Sequence, residues 1–213
     1  MTEPETSAPS EAQPNIVRFS TFEETKKAFD AYVAAVGKVA YAWNYLHEEL
    51  GKLFVVVGGA EREVALSIWY SVRNDGAQRE ILRAAVNATN SERSERLPKA
   101  PDDLKWLLDR ANDLADARNN AVHAPCSLYI GGTGSEMGPA FSNGNPRTKK
   151  LMGKELLVEF AWCERYAETL SRFTRMLGIA IALPERYQWP ERPKILSPED
   201  FSGESRRSQG DVR

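Results

Sequence analysis

The sequence predicts an all-α fold: a bundle of about five helices with a disordered tail at each end. Apolar residues recur at three- and four-residue spacing over several long windows. Glycine, proline and asparagine gather between those windows, and polar residues rich in Pro, Ser and Glu occupy both ends. The resulting organisation is a leader over residues 1–18, a helical domain over 19–183 and a Pro- and charge-rich tail over 184–213.

The first helix starts at a Ser20 or Thr21 cap, with Glu23 or Glu24 three residues on as in a capping box. Its apolar stripe is Phe29, Val33, Val36, Ala40, Trp43, Leu46, Leu50 and Phe54, and Gly58-Gly59 ends it. A second helix carries Ala65, Ile68, Trp69 and Val72 and stops near Asn74-Asp75-Gly76. The third holds Ile81, Leu82, Ala85 and Val86, and Ser91 to Pro101 reads as a loop. Pro101 followed by Asp102 and Asp103 suits the first turn of a fourth helix, because proline there forfeits no needed donor and the acids complement the dipole. Its stripe runs Leu104, Leu107, Leu108, Ala111, Leu114, Ala115, and Arg118 is next in register. Pro125 disfavours helical geometry at Ala124, so this helix ends at or just before His123. Cys126 to Ile130 reads as a short strand and Gly131 to Pro146 as a mobile loop or loose hairpin. The last helix, about Lys154 to Leu183, turns Leu156, Phe160, Cys163, Ala167, Leu170, Phe173, Leu177 and Ile181 inward.

At 213 residues the chain is long enough to bury a sizeable core. Its hydrophobic share of 42% and charged share of 27% are those of an ordinary soluble domain. A net charge of −2 gives no global field to gather nucleic acid or acidic membranes, so any such contact must be local. Two cysteines, Cys126 and Cys163, are too few for a disulfide framework and suit a reducing cytoplasm. No signal peptide or membrane span is expected, and cysteine and histidine show no metal-site spacing.

Chemistry concentrates at the end of the fourth helix, in Arg118-Asn119-Asn120-Ala121-Val122-His123. Asn119 and His123, four apart, stack on one helical face. Arg118 lies roughly 140° from His123, so one regular helix cannot aim both at one atom. An unwound helix end, a neighbouring helix or a second copy of the chain must correct this. Plainer readings pair Arg118 with a carboxylate such as Glu48 or Asp116, set His123 as a cation against the helix dipole, and spend the asparagines on frayed carbonyls.

These residues resemble the HEPN superfamily, whose members are helical bundles, commonly dimeric, many with an Arg, four to six residues, His motif and a polar residue after the Arg. Trp43-Asn44-Tyr45-Leu46-His47-Glu48-Glu49-Leu50 is similar to the opening helix of many members, and Ser71, Arg79 and Leu82 fit a second, weaker pattern. The likeness spans about residues 20 to 183. One position departs: His47 stands where many relatives carry Glu, which is displaced here to Glu48.

The resemblance implies a metal-independent endoribonuclease with no cofactor, a toxin or defence protein restrained by an antitoxin, with its site at a homodimer interface. Arg118 would stabilise charge on the phosphate, His123 would move the proton, and Asn119 would orient the phosphate or fix the His123 tautomer. His47 and Glu48 are candidate supporting residues, although an inward histidine is more often a satisfied core group. Arg147, Lys149 and Lys150, at the start of the last helix, are candidates for the RNA backbone or a solvated face. The alternative is a non-catalytic helical module binding a protein or nucleotide. Gly131-Gly132-Thr133-Gly134 lacks the Lys-Ser/Thr of a phosphate loop.

Overall fold

The computed structural model describes residues 20–88, 95–131, 134–140 and 144–202. The mostly helical fold expected from the periodicity is present. Helix α1 spans Phe22–Gly58, α2 Arg62–Ser71, α3 Asp75–Asn87, α4 Ala100–His123, α5 Pro146–Leu151 and α6 Leu156–Ala182. A two-stranded hairpin, β1 Cys126–Gly131 with β2 Gly134–Pro139, lies between α4 and α5.

Local chemistry sets the helix ends. The Thr21 hydroxyl accepts from Glu24 N–H at 3.2 Å while the Glu24 carboxylate accepts from Thr21 N–H at 2.8 Å, closing the capping box. Gly59, with φ 65°, takes the left-handed turn that stops α1. Asn74 caps α3 through the Ala77 N–H. Helix α4 continues without a break to His123, where Ala124 turns extended before Pro125.

Contacts fix the directions. Tyr32 meets Phe160, Glu49 meets Arg175 and Leu53 meets Gly178, so α1 and α6 run parallel. Trp106 packs edge-on against Phe173 at 5.4 Å, with Arg110 near Tyr166, so α4 runs the opposite way. Arg79–Asn112 and Arg83–Asp109 contacts lay α3 antiparallel to α4. The core is shared by Leu46 and Leu50 of α1, Leu82 of α3, Leu107 and Leu114 of α4, and Leu170 and Leu177 of α6, all fully buried. Every residue expected to face inward on α6 is buried.

Two expectations change, and a third is decided between its alternatives. Phe29 and Val33 are 50% and 48% exposed: α6 meets the adjacent face of α1 at Tyr32, and the hairpin meets the first turns through Thr25 Oγ1 to Ser135 Oγ at 3.1 Å, which leaves the face of these two uncovered. Of the two readings of the segment after β1, a mobile loop or a loose hairpin, the described residues form the antiparallel hairpin, registered from Cys126↔Pro139 to Gly131↔Gly134. The basic residues form a separate helix, α5, because Gly153 at φ 73° breaks the path into α6.

The tail from Pro184 is ordered as far as residue 202. Trp189 Nε1 donates to Asp103 Oδ2 at 2.6 Å, Arg192 pairs with the same buried carboxylate, and Trp162 Nε1 donates to the Leu196 carbonyl at 2.8 Å. Prolines at 184, 190, 193 and 198 restrict this strap in the unfolded chain, so a few anchors suffice to hold it. The leader, as far as residue 19, and residues 203–213 lie outside the described residues.

Gly51 of α1 touches buried Trp69, and a Cβ there would lie 2.8 Å from the indole Nε1. Gly51→Ala is expected to lower unfolding free energy by roughly 1–3 kcal/mol in urea denaturation, outweighing the ~0.5–1 kcal/mol gain in helix propensity.

Candidate functional site

The stripe of α4 delivers Arg118 to the seam between α1 and α6. Its Cζ sits 5.5 Å from the centre of the Trp43 ring, and its Nη1 donates to Asn119 Oδ1 at 3.0 Å. The guanidinium is half-buried, its Nε is shielded with no hydrogen-bond partner, and among the described residues no carboxylate pairs with it. Neither acid considered from the sequence reaches it. Exposed Glu48 accepts from Tyr70 Oη at 2.7 Å, and Asp116 lies 4.0 Å from Lys150 Nζ.

His123, the last residue of α4, is exposed. Because the helix is regular to its end, α4 itself keeps the angular separation between His123 and Arg118. An unwound helix end is thereby excluded, and Asn119 spends its carbonyl on Arg118.

What one chain does assemble is a buried polar cluster around Trp43. Trp43 Nε1 donates to Asp75 Oδ2 at 2.8 Å, and its ring lies 4.7 Å from that of His47. Arg79 of α3 is 6% exposed; its Nη1 meets His47 Nε2 at 3.1 Å, its Nε donates to Asn112 Oδ1 at 2.6 Å, and its Cζ is 5.3 Å from the Trp43 centroid. Both guanidiniums therefore lie within cation–π reach of one indole.

Donor counting fixes the His47 tautomer. Arginine has no acceptor, so Nε2 must accept from Arg79, which leaves the proton on Nδ1. That Nδ1–H donates to Gln78 Oε1 at 3.1 Å, and the Gln78 amide nitrogen donates to the Trp69 and Val72 carbonyls at 3.1 and 3.2 Å. Both ring nitrogens of His47 are satisfied with the imidazole neutral. Burial pushes His47 below its ordinary value and the charges of Arg79 and Arg118 add to that, while Asp75 and the Gln78 bond oppose it. Burial likewise lowers Arg79.

Comparison with family models, with curated proteins and with solved structures finds no match to this chain. The site is read from its own geometry.

Of the residues singled out from the sequence, Arg118 and Asn119 are joined and His47 lies in the same cluster, whereas His123 and Glu48 are apart from it. Arg147, Lys149 and Lys150 are exposed on α5, where Lys150 Nζ lies 4.0 Å from Asp116 of α4. Ser71 turns back to the Ile68 carbonyl at 2.7 Å. Sequence reasoning missed Asp75, Gln78 and Asn112 as cluster members; only the shared face of Trp43 with His47, and of Asp75 with Arg79, hinted at them. Among the described residues no helix is long and apolar enough to cross a membrane, and no group of three or more His, Cys, Asp or Glu is placed to hold a metal.

The neutral His47 ties stability to pH. An unfolded chain takes up the proton near pH 6.5, whereas the folded one resists it to lower pH. The unfolded state then binds more protons, so stability is complete above pH 6.5 and falls as pH drops below it. Melting temperature is expected to decline between pH 7.5 and 5.5, and His47→Gln to flatten part of that slope.

Proposed function

We propose that this chain is a metal-independent endoribonuclease of the HEPN type, acting as a homodimer whose α4 ends meet across a two-fold axis. One observation carries the reading. A half-buried guanidinium, steadied by Trp43 and Asn119 and free of any carboxylate among the described residues, stands about one and a half turns from an exposed imidazole on the same helix. An arginine kept from acids in this way is available to a phosphate. A two-fold contact brings one chain's His123 toward the other's Arg118, which a straight helix cannot do alone.

In such a cleft one His123 takes the proton of the ribose 2′-hydroxyl. The freed oxygen attacks phosphorus as the bond from phosphorus to the 5′-oxygen breaks, and the second His123 protonates that leaving oxygen. The products are a 2′,3′-cyclic phosphate and a 5′-hydroxyl. Arg118 stabilises the charge gathering on the phosphorane oxygens, and Arg147, Lys149 and Lys150 beside α4 extend a basic path for the strand. A toxin or defence role, checked by an antitoxin, follows from an RNA-cutting activity of this kind.

The divergence of Arg118 and His123 within one chain favours a second reading, a binding module that never forms the cleft. Purified protein in chelator separates the two. Arg118→Ala and His123→Ala are each expected to slow RNA cleavage by roughly 10²- to 10⁴-fold and to relieve growth arrest, with Asn119→Ala weaker. A monomer by sedimentation with full activity rejects the composite cleft, and equal behaviour of wild type and variants rejects the nuclease.

A further inference from the structure

Arg79 and His47 cost the fold something that ordinary packing would avoid. A buried guanidinium and a buried imidazole bring two desolvated polar groups into the core, and Asp75, whose charge acts on both, accepts from the Trp43 N–H. The pair makes sense through what it touches. Arg79 is held at three points, by His47 Nε2, by Asn112 Oδ1 and over the Trp43 ring. Trp43 is thereby fixed by Asp75 through its Nε1–H, by His47 beside it and by Arg79, and Arg118 Cζ lies 5.5 Å from the same ring centre. Among the described residues, this ring and Asn119 orient the Arg118 guanidinium.

We propose that Arg79 and His47 are positioning residues for Arg118, acting through Trp43. The inference rests on the nuclease reading for its purpose but not for its test. With Trp43 clamped, Arg118 keeps one orientation without a carboxylate, so its charge stays unspent. A salt bridge would position it equally well and cancel that charge. A neutral His47 is part of the device, because a protonated ring would turn a donor toward Arg79 and set three cations around one indole.

Nitrogen-15 spectra of arginine side chains in the full-length protein read this directly, with no need for turnover. The Arg118 Nε–H, shielded in the fold, is expected to give a slowly exchanging signal that disappears in Arg118→Lys. In Arg79→Leu it should shift and exchange at least ten times faster, while the Arg175 Nε–H, anchored at Glu49 on the far side of α1, stays in place and reports an intact bundle. Arg79→Lys keeps the charge but lacks the fork and, should the leucine variant unfold, provides the same reading. His47→Gln retains an acceptor for Arg79 and should restore the signal that His47→Leu loses. An Arg118 signal unchanged in either folded Arg79 variant overturns the proposal. In RNA cleavage, His47→Leu should lower kcat about ten-fold with little change in KM, rescued by His47→Gln. A chain whose Arg118 responds to Arg79 yet cuts no RNA rejects the nuclease and keeps the positioning.

Discussion

One indole organises this molecule. Trp43 is the common neighbour of Asp75, His47, Arg79 and Arg118, so three helices, α1, α3 and α4, meet through a single side chain. A cation beside an aromatic face gains about 0.5–2 kcal/mol and keeps its hydrogen-bond donors. Two such cations near one ring are tolerable only while the adjoining imidazole is neutral. The donors and acceptors meet that condition, with Gln78 taking the Nδ1 proton and Arg79 filling Nε2. The charge state of His47, the tautomer and the seating of Arg79 are therefore one constraint rather than three.

The other governing fact is that α4 is straight. A regular helix separates Arg118 from His123 in angle and along the axis, and Pro125 prevents any further turn that might bring the chain back. The two groups serve different surroundings: Arg118 faces the α1–α6 seam, while His123 stands in solvent. The chemistry proposed above joins them through a second chain. The short helix α5 lies beside the same stretch of α4, so the basic side chains are grouped near the motif by packing although some thirty residues separate them in sequence.

Much of the architecture was legible in the residues. Thr21 and Glu24 make the capping box they spell, α4 ends at His123 because of Pro125, and the α6 stripe from Leu156 to Ile181 is buried throughout. Periodicity reports which residues share a face, but not whether a neighbour exists to cover it. Phe29 and Val33 continue the α1 stripe and still emerge half-exposed, because α6 covers the neighbouring face at Tyr32 and not theirs. The strap after Pro184 fails in the opposite sense. Its composition is that of a disordered tail, yet Trp189, Arg192 and the Leu196 carbonyl find partners on α4 and α6.

The candidate site divides along the same line. Interactions within a few residues, namely caps, breakers and the four-residue stacking of a helix face, were fixed by the sequence alone. They located the Arg-Asn-His motif and gave its internal angles. That Arg118 rests on Trp43 rather than on Glu48 or Asp116, and that His47 bonds Arg79 rather than merely filling core, only the tertiary structure decided. Such contacts join residues thirty and seventy positions apart, and their existence depends on how α1, α3 and α4 cross, which no local spacing encodes.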